Sequence, residues 1–262
     1  MIQLNSFYIS DAVKFMQKMN EETIDLTITS PPYSDMRKYN SYDFDYTTVI
    51  PELFRITKKG GVVVWVVADK TIDGSESGIS FEQALFFKKS GFNLHDTMIY
   101  HKKAVGSCGS STSYSQSFEY MFIFTKKGIK TFNPIKDLVA KKAGQLVRYA
   151  KTRSTKNGYS SVSHAKIAPL SSKRQNVWSY GIGISSGDDK TKHPAVFPEK
   201  LARDHILSWS NEKDVVFDPM CGSGTTCKMA WVNNRNFIGV DCSKEYINNI
   251  CIPRLEKYGW RK

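Results

Sequence analysis

The chain has 262 residues, 40% hydrophobic and 24% charged, which leaves room for a sizeable core and excludes a disordered chain or a fibre. With 37 Lys and Arg against 25 Asp and Glu, the net charge is +12, a balance that favours a polyanionic partner. The five cysteines, at 108, 221, 227, 242 and 251, are odd in number and form no C-x-x-C pair, which argues against a disulfide framework or a cysteine-only zinc site and for a reduced, metal-free cytoplasmic protein.

The start, MIQLNSFYISD, lacks the basic-then-apolar pattern of a secretory signal, and no stretch approaches the roughly 20 apolar residues of a membrane span. In DAVKFMQKM (11–19) Ala12, Phe15, Met16 and Met19 share one helical face. Ile24, Leu26 and Ile28 alternate with polar residues as in a strand, which stops at Ser30-Pro31-Pro32. Gly60-Gly61 introduces VVVWVV (62–67), an apolar β-branched run suited to a strand covered on both faces. FEQALFFKKSG (81–91) reads as a helix closed by glycine, and LHDTMIYH (94–101) and FEYMFIFT (118–125) as strands. Later come a helix over 198–209 with Pro198 at its start, short strands at 215–217 and 237–240, and a helix over 243–259 capped by Ser243 and kinked at Pro253. Strands alternating with helices predict an α/β fold: a mostly parallel twisted sheet with helices on both faces, in one domain spanning 1–262.

The positive charge is concentrated. Residues 126–174 hold 13 Lys or Arg and a single acid, Asp137, so this stretch carries the entire +12 and the remainder is neutral. Its texture is polar and Ser-rich, without strand or helix periodicity, which predicts an irregular basic insertion over 126–175. It is either a solvated surface loop or a nucleic-acid contact, with Lys and Arg on phosphates and Arg148, Arg153, Arg174, Asn157 and Gln145 as residue types able to read base edges. Tyr149 and Tyr159 could stack on bases.

Two turns carry the chemistry. In FDPMCGSGTTCKMA (217–230) a strand ends at Asp218, two glycines follow, and Thr225-Thr226 open a helix. The next strand ends at Asp241, where a carboxylate can accept ribose hydroxyls. This combination points to a nucleoside-containing cofactor. There is no G-K-[ST], and Cys227 stands where the dinucleotide fingerprint needs its third glycine. A cofactor lacking pyrophosphate, such as S-adenosylmethionine, needs neither, and the Asp218 region can neutralise its ammonium. The second turn, DLTITSPPYSD (25–35), sets two prolines after a strand, removing two N–H groups and leaving carbonyls beside Tyr33. Such a corner suits an amino group on a flat ring, although Pro-Pro-Tyr also occurs as a plain turn or polyproline ligand.

Thr29-Ser30-Pro31-Pro32-Tyr33 resembles the catalytic motif of the amino-group DNA methyltransferases, and Asp218-Pro219-Met220-Cys221-Gly222-Ser223-Gly224-Thr225-Thr226 resembles their cofactor motif. The order, catalytic motif first, is similar to the β-type arrangement. Asp11 and Ala12 resemble the segment contacting the cofactor's adenine, His193-Pro194-Ala195-Val196-Phe197-Pro198 the stretch lining its methionine end, and Asp241 the ribose acid. The basic segment occupies the place of the family's target-recognition region.

The resemblance implies a Rossmann-like methyltransferase with S-adenosylmethionine as methyl donor and double-stranded DNA as substrate. Ser30 and the Pro31 carbonyl then accept hydrogens of the amine, Pro32 stiffens the turn, Tyr33 stacks on the flipped base, and Thr29 belongs with the cofactor residues. Arg37 and Lys38, with Lys141, Lys142, Arg148, Lys151, Arg153, Lys156, Lys173 and Arg174, are the DNA-contacting candidates. The loops over 34–46 and 106–117 are candidates for closing over an extruded base. Ser at 30 resembles the form usual for N4-cytosine methylation, whereas Asp-Pro-Pro-Tyr is usual for N6-adenine, so cytosine is the expected target and adenine the alternative. RNA methylation, a non-catalytic nucleic-acid module and a nicotinamide dehydrogenase fit fewer of these features. A cognate restriction endonuclease and homodimerisation stay open as partners. His95, His101, His205, Cys227, Cys251 and Trp178 read as packing or surface residues.

Overall fold

The computed structural model describes residues 2–32, 44–103, 112–155, 158–181 and 197–261, with the backbone alone for 149–163. The chain begins with β1 (Ser6–Ile9), α1 (Ala12–Met16), β2 (Ile24–Thr29), α2 (Tyr46–Ile56) and β3 (Thr57–Val67). A small hairpin, β4 (Thr71–Ile72) and β5 (Ser75–Glu76), precedes α3 (Ile79–Lys89), β6 (Asn93–Lys103) and β7 (Phe118–Thr125). Then come β8 (Leu138–Val139), β9 (Leu146–Thr155), β10 (Gly158–Ile167), β11 (Ser171–Ser172) and β12 (Val177–Gly181). The chain ends with α4 (Glu199–Trp209), β13 (Val215–Asp218), α5 (Thr225–Val232), β14 (Asn236–Asp241), α6 (Lys244–Tyr246), a π-helical turn (Ile247–Cys251) and α7 (Ile252–Glu256).

Eight strands form one sheet in the order β1-β14-β13-β2-β3-β7-β6-β12. Every pairing is parallel except β3–β7 and β7–β6, so the sheet is mostly parallel, as expected. The run Val62–Val67 lies in β3 with every side chain sealed from solvent, the burial its uninterrupted apolar sequence predicts. Val63, Trp65 and Val67 join Phe15 and Met16 of α1, Val49, Ile50 and Leu53 of α2 and Phe87 of α3 in one core. On α4 and α5, Leu201, Ala202, Ile206, Met229 and Ala230 are buried as well, and these helices contact β2, β13 and β14.

Three features depart from the sequence reading. Helix α2 was not anticipated because Pro51 interrupts the apolar spacing of Val49, Ile50, Leu53 and Ile56. The helix expected over 243–259 is broken by a π-helical turn just before Pro253, where the Ile252 N–H reaches back five residues to the Ile247 carbonyl. A proline lacks the donor that a continuous α-helix needs there, and the wider turn absorbs the defect. Last, the basic stretch is not irregular: β9 and β10 form a ten-pair antiparallel hairpin, from Leu146 opposite Ile167 to Thr155 opposite Gly158. Its sequence shows no apolar alternation, and its only sequence signal is the Asn157-Gly158 step.

Two compact units result, one of residues 1–133 and 176–262 and one of residues 134–175. The smaller contains the β9–β10 hairpin and the β8–β11 pair.

Candidate functional site

In a parallel sheet all carboxyl ends fall on one edge, so the adjacent strands β1, β14, β13 and β2 deliver their following turns side by side. Ile9 is level with Asp241, and Asp218 with Gly239. That places Asp11, Asp241, the Asp218 glycine turn and the Ser30-Pro31-Pro32 corner along the same edge. The link is direct: the Thr29 hydroxyl donates to Asp218 Oδ1 at 2.9 Å, and the Thr226 hydroxyl donates to the Ile28 carbonyl at 3.3 Å. Thr29 and Thr226 are fully buried, as is Pro31. The end of β2 and the glycine turn are thus pinned together from both sides.

The glycine turn is fixed atom by atom. Cys221 N–H donates to the Val240 carbonyl, Gly222 N–H to Asp241 Oδ2 at 2.8 Å, and Gly224 N–H to the Cys221 carbonyl at 2.7 Å. Gly222 and Gly224 have φ of 49° and 72°, left-handed values that glycine adopts without the steric cost other residues meet. Asp241 Oδ1 also accepts from Ser243 N–H at 2.8 Å. Burial raises its carboxyl above the ordinary range, and those two backbone donors oppose the rise. Asp218 is more strongly perturbed: burial pushes it up to about 7, although hydrogen bonds from Thr29, Met220 N–H and Thr226 favour the charged form. Beside them, burial raises the thiols of Cys221 and Cys227, while the hydrogen bond with Cys221 leads the rise at Cys251. These thiols are small core groups: Cys251 Sγ donates to the Gly222 carbonyl, and a Cβ at Gly239 would lie 2.6 Å from Cys227 Sγ.

Other candidates fall as follows. Asp11 caps α1 by accepting from Lys14 N–H, and Ala12 opens that helix. Pro219, Cys221, Ser223, Gly224 and Thr225 are buried within or beside the turn, Gly222 is half-buried, and Phe197 and Pro198 lead into α4. Tyr33, Arg37, Lys38, Lys156, His193 and Pro194 lie outside the described residues, as do 34–43 and 106–111 of the two loops suggested to close over a base. In the smaller unit Lys141, Lys142, Arg148 and Lys173 are exposed, while Lys151 and Arg153 sit in β9 opposite Val162 and Ser160. Arg174, another of the DNA-contacting candidates, meets Asp137 of the same unit through Nε at 3.0 Å and through Nη2. The structural reading of His205 agrees with its position, buried against Trp178 with Trp209 Nε1 donating to its Nδ1. Burial lowers its pKa to about 3, so it is neutral.

Sequence reasoning missed a buried ionic cluster behind the glycine turn. Glu199 Oε1, at the start of α4, accepts from Lys228 Nζ at 2.6 Å and from Arg254 Nη2. Arg254 Nη1 donates to the Ser223 carbonyl at 3.0 Å and to the Thr225 hydroxyl at 2.9 Å. Lys228 also donates to the Tyr258 hydroxyl. No motif announces this cluster, since its members come from three separate segments.

A family model described as DNA methylase matches residues 24–251. The orphan methyltransferase M.BamHII of Bacillus amyloliquefaciens is 50% identical over 251 residues, covering 92% of both chains. The DNA adenine methyltransferase YhdJ of Escherichia coli is 27% identical over 251 residues, covering 90% of this chain and 78% of its own. Among solved structures, the cytosine-N4-specific PvuII DNA methyltransferase superposes with a TM-score of 0.67 at 19% identity over 96% of this chain and 90% of its own. The complex of M1.HpyAVI with SAM gives 0.61 at 24% over 95% and 99%. The chain therefore belongs to the N6/N4 amino-methylating DNA methylase family, and its fold is that of these enzymes. DNA is its substrate.

Proposed function

We propose that this chain transfers a methyl group to the exocyclic N4 amine of a cytosine flipped out of duplex DNA, and that the carboxyl-end edge of β1, β14, β13 and β2 is where it does so. The observation that carries this reading is the buried Thr29–Asp218 hydrogen bond, which fixes the Ser30-Pro31-Pro32 corner beside the glycine turn. The cofactor is S-adenosylmethionine, and the donor set fits it. Asp241 keeps lone pairs on both oxygens for ribose hydroxyls after accepting from Gly222 and Ser243, and buried Asp218 offers a carboxyl that a nearby ammonium would hold ionised. Bound there, the cofactor supplies a methyl group on a sulfonium.

The chain's residues have to supply orientation and charge stabilisation. The lone pair of an aromatic amine is delocalised into its ring, so the nitrogen must be held as it pyramidalises. Ser30 and the Pro31 carbonyl accept its hydrogens and stabilise the positive charge that develops, Pro32 keeps the corner rigid, and Tyr33 stacks on the base. No covalent enzyme intermediate is involved. Asp11, Ala12, Thr29, His193, Pro194, Phe197, Pro198, Asp218, Pro219, Cys221, Gly222, Ser223, Gly224, Thr225, Thr226 and Asp241 line the cofactor site in this reading. Flipping costs a few kcal/mol, which phosphate contacts by Arg37, Lys38, Lys141, Lys142, Arg148, Lys151, Arg153, Lys156, Lys173 and Arg174 help to offset. Because M.BamHII is named an orphan, a solitary enzyme is favoured over one paired with an endonuclease.

Ser in place of Asp at position 30 supports cytosine. Its rival, N6-adenine, draws support from the likeness to YhdJ. Nucleoside mass spectrometry of plasmid DNA modified by the purified protein decides between them: N4-methylcytosine is expected, and N6-methyladenine alone would overturn the choice of base.

A further inference from the structure

We infer that Arg254 is a positioning residue for the cofactor turn, acting through the Ser223 carbonyl and the Thr225 hydroxyl, with Glu199 and Lys228 holding it in place. The inference rests on the reading that the glycine turn binds S-adenosylmethionine. Among the described residues, the Ser223–Gly224 peptide is gripped at both ends: its carbonyl accepts from Arg254 Nη1 at 3.0 Å, and its N–H donates to the Cys221 carbonyl at 2.7 Å. Rotation of that peptide would break both bonds, so its orientation is set by a guanidinium that comes from α7, about thirty residues downstream.

Arg254 is itself fixed. Its side chain is 4% exposed, and its second nitrogen meets Glu199 Oε1, the same oxygen that takes Lys228 Nζ. Lys228 is 2% exposed, and its ammonium lies 4.1 Å from the centre of the Tyr258 ring. One carboxylate therefore joins the N-terminus of α4, the glycine turn with α5, and α7. A long cation with a single point of attachment would not do this. The planar fork of arginine sends one nitrogen to Glu199 and the other to the turn, which lysine cannot reproduce. Buried charges of this kind are weak contributors to net stability, since desolvation offsets their attraction. Positioning the turn accounts better for an ionic group placed in this spot.

The test compares three variants by isothermal titration with S-adenosylmethionine, steady-state kinetics and thermal melting. Arg254→Lys keeps the charge and loses the fork, so the Kd and KM for S-adenosylmethionine should rise about tenfold, the loss of roughly one charge-assisted hydrogen bond. The kcat at saturating cofactor and the KM for DNA should stay within about twofold. Glu199→Gln, which releases Arg254 from its anchor, should weaken cofactor binding in the same direction. Tyr258→Phe removes a Lys228 partner without touching the turn and should bind the cofactor as the parent does. Wild-type cofactor affinity in folded Arg254→Lys and Glu199→Gln proteins would overturn the inference, as would an equal weakening in Tyr258→Phe. A fourth variant, Asp241→Ala, separates the two levels. If it retains full cofactor affinity, the assignment of the site itself fails; if it loses affinity while Arg254→Lys does not, only the positioning role fails.

Discussion

Replacing Thr29 by Val tests the electrostatics of the proposed cofactor edge, because it deletes one hydroxyl at nearly constant volume. That hydroxyl donates to Asp218 Oδ1 at 2.9 Å in a fully buried setting, and its loss leaves Asp218 with the weaker Met220 N–H at 3.2 Å and Thr226. In the parent, burial raises the Asp218 carboxyl from 3.8 to about 7. Below pH 3.8 both folded and unfolded chains hold the proton, and the group's stabilising contribution is complete. As pH climbs to about 7 the unfolded chain gives up its proton while the folded one keeps it, so stability falls, by at most about 4 kcal/mol, and then levels off. In the proposed function, a cofactor ammonium beside Asp218 would reverse the preference, favour the charged form and expel a proton on binding. Affinity for S-adenosylmethionine should therefore rise with pH up to about 7, at most tenfold per pH unit, and flatten above it. The Thr29→Val variant loses a hydrogen bond to a charged group worth about 1–3 kcal/mol, which moves the same rise upward by about one pH unit or more. Titration calorimetry between about pH 5.5 and 8.5, in two buffers of different ionisation enthalpy, measures both the affinity and the proton released. A pH-independent affinity without proton release, identical in parent and variant, would refute the reasoning.

Two further outcomes follow from packing and charge. Gly239→Ala would set a Cβ 2.6 Å from Cys227 Sγ and 2.7 Å from the Phe7 ring, so overpacking of about 1–3 kcal/mol should lower the Tm by several degrees in scanning calorimetry, and an unchanged Tm would contradict that contact. Lys141→Gln with Lys142→Gln should weaken DNA binding equally for all sequences and reduce the slope of log affinity against log salt by about 0.9 per lysine that meets a phosphate, whereas an unaltered slope in fluorescence anisotropy would remove both from the interface.

How much could be read from sequence varied with range. The central strands were legible because Val62–Val67 and Ile24, Leu26 and Ile28 carry their environment in their own pattern, and the sheet is mostly parallel as that pattern implies. The alignment of the turns after β14, β13 and β2 followed from parallel topology once those strands were placed, whereas β1 (Ser6–Ile9) was not anticipated. Helix α2 was hidden by Pro51, and the β9–β10 hairpin by a polar sequence without an apolar period. The cluster of Glu199, Lys228 and Arg254 had no local signature at all. Its members meet only after α4, α5 and α7 have packed, and an isolated acid in a first helical turn looks like any other. The same limit applies to Arg174, whose capture by Asp137 depends on how the smaller unit folds.

The central claim is that the diproline corner beside the glycine turn performs methyl transfer to a DNA amine. Single-turnover methylation with tritiated S-adenosylmethionine by the Ser30→Ala variant tests it most directly, with cofactor affinity measured on the same preparation. The account predicts parental cofactor affinity and a methyl-transfer rate lowered by about 100-fold or more, the usual effect of removing one group that stabilises developing charge. A folded Ser30→Ala protein that methylates duplex DNA at the parental rate would contradict it.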